Sequence, residues 1–232
     1  MNSSEIEKAL LTAGNSEKAS GMQRYFKTGK GEYGEGDIFI GITTPEMHRF
    51  VKTYKHVALT EAVKLLASPY HEIRACALQI MVEQYQKGDE NLRETIVQSY
   101  LLNTARINNW DLVDSSAPDI IGEHLLTRDR GLLYTLAASQ LLWEQRIAII
   151  STLTFIRHGD FTDTLKLAKL LLPHKHDLMH KAVGWMLREV GKRHRETLTV
   201  FLQGHRLAMP RTALRYAIEH YSEAERKAFM QR

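Results

Sequence analysis

Five positions, Arg74, Trp110, Arg146, Lys181 and Arg215, recur at intervals of 36, 36, 35 and 34 residues, each near the start of a helical pattern. The flanking residues repeat with them. His71-Glu72-Ile73-Arg74-Ala75-Cys76-Ala77 parallels Trp143-Glu144-Gln145-Arg146-Ile147-Ala148-Ile149, and Leu178-Met179-His180-Lys181-Ala182-Val183-Gly184 parallels Arg211-Thr212-Ala213-Leu214-Arg215-Tyr216-Ala217. A period of this length holds two helices and their turns, and no such pair can bury its apolar face alone. Such a chain is constrained to stack helix pairs on their neighbours.

Amphipathic helical periodicity fills nearly every segment. It predicts helices near residues 3–13, 16–27, 44–56, 60–67, 70–87, 90–105, 109–126, 129–139, 143–157, 161–172, 177–192, 195–204 and 211–220. Pro45, Pro69 and Pro210 fall near helix starts, where a missing N–H is harmless. Pro118 lies four residues after Asp114 and either kinks the 109–126 helix or opens a new segment. The only strand-like run is Asp37-Ile38-Phe39-Ile40. The expected fold is all-α, an α-solenoid of HEAT-like helical repeats with one curved, concave surface, forming a single domain over residues 1–232.

Four of the five repeated positions are cationic, and helix N-termini add free N–H groups and positive potential of their own. Charge is also unevenly divided. Residues 1–120 carry 13 Lys+Arg against 16 Asp+Glu, whereas residues 121–232 carry 18 against 11. A basic second half suits a polyanion, although a solvated surface, or cations paired with carboxylates of adjacent helices, would leave the same trace. The single cysteine, Cys76, excludes an internal disulfide. No apolar run is long enough to span a bilayer, and Met1-Asn2-Ser3-Ser4-Glu5 has neither the basic start nor the apolar core of a secretory signal. A cytoplasmic monomer is expected.

Chemistry is concentrated in Asn108-Asn109-Trp110-Asp111-Leu112-Val113-Asp114. On a helix, Trp110 and Asp114 share one face one turn apart. Asn108 would cap that helix, with Asp111 reaching back to free N–H groups. An indole and a carboxylate share a face at a cost, since one wants burial and the other water. A cleft for a flat or cationic ligand satisfies both; so would a core Trp110 with a solvated Asp114.

Three further segments, Trp143-Glu144-Gln145-Arg146, His180 to Glu189, and Arg211 to Ile218, follow in order. Together with Trp110-Asp111-x-x-Asp114, Met22-Gln23-Arg24-Tyr25-Phe26-Lys27 and Gly41-Ile42-Thr43-Thr44-Pro45-Glu46, they make the chain resemble the AlkD-type family of DNA alkylation-repair glycosylases over essentially its whole length. The resemblance implies hydrolysis of the N-glycosidic bond of N3- or N7-alkylated purines in duplex DNA, without flipping the base into a pocket. It implies Asp114 as the catalytic carboxylate, Trp110 and Trp185 as cleft tryptophans and Arg146 as the active-site arginine. No metal or other cofactor is expected. A cationic purine already is a good leaving group, so one carboxylate suffices to stabilise a developing oxocarbenium and place a water. Indole faces suit a cationic sugar, and a guanidinium suits a phosphate.

Candidate DNA contacts are Tyr25, Thr44, Arg157, Lys181, Arg188, Lys192, Arg193, Arg211 and Arg215. Arg157 could equally cap its helix and Tyr25 simply pack. Arg211 and Arg215 form a repulsive i,i+4 pair unless an anion lies nearby. Asn109 stands where some relatives carry tryptophan. The run Thr28 to Asp37 reads as a flexible Gly-rich insertion, with contact of Lys30 and Tyr33 to DNA as the alternative, and it lacks a phosphate-binding fingerprint. His174, His176 and His180 lack metal-ligand spacing, and no further aromatic-lined pocket is legible. The rival readings are a non-catalytic DNA-structure binder and a protein scaffold.

Overall fold

The structure, a computed structural model, describes residues 1–231. Among these residues the backbone is helical, and the sole β-type pairing is an isolated bridge between Ile38 and Tyr70. The strand-like run at 37–40 thus contributes one bridge, because it has no second strand to join. The described residues form two compact units that divide after Ile120, the first net acidic and the second net basic in sequence.

The first unit holds α1 (Ser3–Ala13), α2 (Ser16–Tyr25), α3 (Thr44–Tyr54), α4 (Leu59–Leu65), α5 (His71–Lys87), α6 (Glu90–Leu102) and α7 (Trp110–Asp114). Helix starts follow local chemistry. Asn2 and Glu5 close a capping box on α1, and Asp89 accepts the Leu92 N–H on α6. α5 is the centre, packing on α3, α4, α6 and α7. It is buried on nearly every face, from Ile73, Cys76 and Ala77 to Ile80, Met81 and Tyr85. The amphipathic reading does not hold for α5, because neighbours surround it.

The second unit holds α8 (Glu123–Leu125), α9 (Gly131–Ala137), α10 (Leu142–Arg157), α11 (Thr162–Leu171), α12 (Asp177–Arg193), α13 (Arg195–His205), α14 (Arg211–Ala217) and α15 (Glu223–Met230). α10 touches α9, α11 and α12, and its residues from Arg146 through Ile156 are all buried. Its hydroxyls turn inward to the backbone: Ser151 donates to the Ile147 carbonyl at 2.7 Å and Thr152 to that of Ile149 at 2.7 Å. α12 and α14 pack so closely that a Cβ on Gly184 would lie 2.5 Å from the Ala213 carbonyl oxygen. α15 is absent from the sequence reading, although Ser222 and Glu225 form a capping box at its start.

The helix expected over 109–126 is broken. α7 ends at Asp114, and a π-helical turn follows over Pro118–Gly122. Pro118 therefore opens a new segment rather than kinking a continuous helix, consistent with its missing N–H. The repeat survives this interruption: Arg74, Arg146, Lys181 and Arg215 each fall in the first five residues of α5, α10, α12 and α14. No helix among the described residues is long and apolar enough to cross a membrane.

Candidate active site

α7 is only five residues long, too short to be stable by its own hydrogen bonds. Side chains hold it in place. Its cap is Asn109, not Asn108: the Asn109 amide oxygen accepts the Trp110 N–H at 2.8 Å, and the amide nitrogen donates to Asp37 Oδ2 at 3.3 Å. Asn109 is fully buried, so its amide has a structural role at this helix start. Asp111 does not reach back to the helix start. Its Oδ1 accepts the Leu112 N–H at 2.9 Å and its Oδ2 meets His71 Nε2 at 2.8 Å.

Trp110 is half-buried in an aromatic wall. Phe26 stacks on it with centroids 5.2 Å apart and planes 18° apart, and the exposed Tyr25 meets it edge-on at 6.1 Å. Its indole Nε1 donates to the Tyr33 hydroxyl at 3.1 Å. The wall continues from Phe26 to Phe39 at 4.7 Å and from Phe39 to His71 at 4.3 Å. Asp114, at the end of α7, is half-buried. Its negative charge contributes to raising the pKa of the buried Tyr100, where burial is the larger cause.

Beneath the wall lies an ion cluster that sequence reasoning missed. His71 is buried, with Asp37 Oδ2 2.8 Å from Nδ1. Arg74 Nη2 donates to Asp37 Oδ1 at 2.6 Å and to the Asn108 side-chain oxygen at 3.2 Å. The Arg74 of the repeat is thus an internal ion-pair partner, and the repeated cations do not make one uniform stripe. Burial pushes the Asp37 pKa up, but the hydrogen bond from His71 and the charges of His71 and Arg74 bring it below the usual carboxylate range. The segment 28–37 is correspondingly anchored rather than a flexible loop, tied by Tyr33 and Asp37.

A cleft of about 290 Å³ opens beside α7, lined by Met22, Phe26, Phe39, Ile42, Thr44 and Met47, with His71 and Asp111. Its aromatic lining corrects the sequence reading, which had no means to join side chains from such separate segments. Thr44 is exposed on the first residue of α3. The backbone leading there is fixed by the buried Glu72, whose Oε1 accepts N–H groups of Ile40 at 3.1 Å, Gly41 at 2.8 Å and Ile42 at 3.3 Å. Gly41 has φ +86°, which permits this turn.

In the second unit Arg146 is buried, and its Nη1 donates to the Leu178 carbonyl at 2.7 Å. Trp185 is half-buried and donates Nε1–H to Glu189 Oε1 at 3.2 Å. Glu189 also collects cations: Lys192 at 2.8 Å, Arg193 at 3.6 Å and Arg188 at 3.8 Å. Arg188 additionally pairs with Glu219. Lys181 pairs with Asp177 at 2.8 Å, Arg157 is exposed at the end of α10, and Arg215 is exposed on α14. Arg211 donates to the Met230 carbonyl at 2.7 Å. His180 Nε2 meets the His174 carbonyl oxygen, His176 Nδ1 accepts the Leu178 N–H at 3.2 Å, and His174 Nε2 reaches Gln145 Oε1 at 2.8 Å. Among the described residues no His, Cys, Asp or Glu group is arranged to hold a metal.

The architecture is an all-α repeat-type fold with an indole and a carboxylate on one short helix of the acidic unit and clustered cations on the basic one. The sequence matches the DNA alkylation repair enzyme family over residues 6–221, and the chain belongs to that family. Among solved structures it is similar to one titled "Predicted DNA alkylation repair enzyme" from Enterococcus faecalis, with 17% identity, a TM-score of 0.70 and coverage of 90% of this chain and 97% of that one; at this identity the likeness bears on the fold. Among curated proteins no relative matches the sequence.

Proposed function

We propose that this DNA alkylation repair enzyme is a glycosylase that hydrolyses the N-glycosidic bond of N3- or N7-alkylated purines in duplex DNA, with Asp114 as its catalytic carboxylate. The observation that carries the reading is α7 itself. It places a half-buried carboxylate one turn from a partly exposed indole, and it is braced by side chains from three other segments. A protein that only grips DNA loses affinity by facing a carboxylate toward phosphates, so the acid is better explained by chemistry.

In the proposed reaction the bond from C1′ to the purine nitrogen breaks, and its electron pair stays with the base. That pair neutralises the positive charge of the alkylated purine, so no general acid is required. The oxocarbenium forming on the sugar is stabilised by the Asp114 carboxylate. The electron-rich face of Trp110 favours the same cation by about 1 kcal/mol or more where water is excluded. Water adds to C1′ and gives a proton to Asp114, leaving an abasic sugar and a free base. Arg146 and Trp185 are proposed to serve as phosphate and sugar contacts. Tyr25, Thr44, Arg157, Lys181, Arg188, Lys192, Arg193, Arg211 and Arg215 are proposed to contact the duplex.

The test is release of 7-methylguanine from alkylated duplex DNA by wild type and Asp114→Asn. The expected result is release by wild type and a loss of about 100-fold or more in the variant, with DNA affinity retained. Binding without release from any alkylated duplex would establish the non-catalytic binder instead.

A further inference from the structure

α7 carries the proposed catalytic acid, yet its orientation originates elsewhere. The His71 ring, stacked on Phe39, meets Asp37 through Nδ1 and Asp111 through Nε2, each at 2.8 Å. A neutral imidazole has one donor and one acceptor, so only the imidazolium can donate to both carboxylates. Asp37 is fixed in turn by Arg74 at 2.6 Å and Asn109 at 3.3 Å. Asp111 sits between Trp110 and Asp114 on the same helical turn. Its side chain is 29% exposed, whereas those of His71 and Asp37 are 2% and 3% exposed. The chain Arg74–Asp37–His71–Asp111 therefore runs from the centre of the first unit to the edge of the cleft and ends on α7.

We propose that His71 is a positioning residue for base release: by bridging Asp37 to Asp111 it clamps α7, and so sets the direction in which Asp114 and Trp110 present themselves to the sugar. This rests on the glycosylase reading of Asp114. His71 touches no substrate in this scheme and acts through Asp111. Its bond to Asp111 is charge-assisted, and an acid displaced by a fraction of an ångström loses rate before the protein loses DNA.

The decisive comparison uses wild type, Asp111→Ala and Asp111→Asn, with Asp114→Asn as the reference for lost chemistry. Asp111 is partly exposed, so Asp111→Ala leaves no emptied core. Single-turnover release of 7-methylguanine and duplex affinity are measured on each. In Asp111→Ala, release slows about 10- to 100-fold while Kd stays within about twofold. In Asp111→Asn the single amide oxygen still accepts from His71 but the second acceptor, held by the Leu112 N–H, is lost, so the rate recovers at least about threefold over Asp111→Ala without reaching wild type. A wild-type rate in Asp111→Ala overturns the proposal. So does an Asp111→Asn as slow as Asp111→Ala, which would make Asp111 a direct chemical participant, or an affinity that falls in step with the rate.

A second readout is independent of activity. The Trp110 indole N–H resonance, set by its bond to Tyr33, should move in Asp111→Ala and return in Asp111→Asn. An unmoved resonance in Asp111→Ala overturns the clamp. If wild type releases no base, the glycosylase reading fails by itself, and the same resonance read in His71→Gln, which leaves the Asp111–Leu112 bond in place, still decides whether His71 holds α7.

Discussion

Raising the pH should dissolve the His71 clamp, and the size of the loss follows from its surroundings. Burial alone would depress the imidazole pKa. The hydrogen bonds to Asp111 and Asp37, and the charges of both carboxylates, more than reverse this and raise it from 6.5 to about 9. A folded-state pKa above the unfolded one means that protonation favours the folded chain. The contribution is complete below about pH 6.5, declines above it, and is gone once the pH has passed about 9. The difference corresponds to about 3 kcal/mol, or roughly 6–12 °C in melting temperature for a protein of this size. Asp37 has the opposite sign: its contribution is present above the ordinary carboxylate range and is lost on acidification. Urea unfolding of wild type and His71→Gln, from about pH 6 to 10, isolates the histidine. Wild type should exceed the variant by about 3 kcal/mol more at the acid end than at the alkaline end. Stability curves that stay parallel across the whole range would refute the bridging imidazolium.

Two other outcomes follow from the second unit. Replacing Gly184 with Ala drives a methyl to 2.5 Å from the Ala213 carbonyl oxygen and the Tyr216 Cβ, which should destabilise the protein by about 1–3 kcal/mol in urea titration. Replacing Glu189 with Ala removes the carboxylate shared by Arg188, Lys192 and Arg193. Duplex DNA should then bind more tightly at low salt, with a steeper fall of log K against log salt; an unchanged slope would place these cations away from the DNA.

The helix pairs were legible because burial of one face leaves a 3.6-residue rhythm, and the repeated Arg74, Arg146, Lys181 and Arg215 kept their places near helix starts. What the rhythm could not carry was sidedness. α5 and α10 look amphipathic in short windows but are enclosed by neighbours. α15 has a strong cap but none of its side chains is buried, so its start was readable while no core-facing stripe marked its length. Trp110 and Asp114 stood out because an indole and an acid on one face are costly together. Their supports did not, since Asp37 and Asp111 meet His71 from 34 and 40 residues away. Such a meeting arises from tertiary packing and has no local spacing to betray it. The same holds for the Phe26–Phe39 cleft.

The dependence of α7 on the segment 28–37 has a practical meaning. That stretch resembles dispensable sequence, rich in glycine and joined to no helix. Yet Tyr33 and Asp37 are two of the props under a turn that cannot stand by itself. A shortened protein lacking them would leave His71 and Arg74 buried without their shared carboxylate and so lose stability, while α7, with the acid proposed for base release, lost its support. Transplanting Trp110 and Asp114 onto another scaffold would fail for the same reason, unless the distant glycine-rich arm travelled with them.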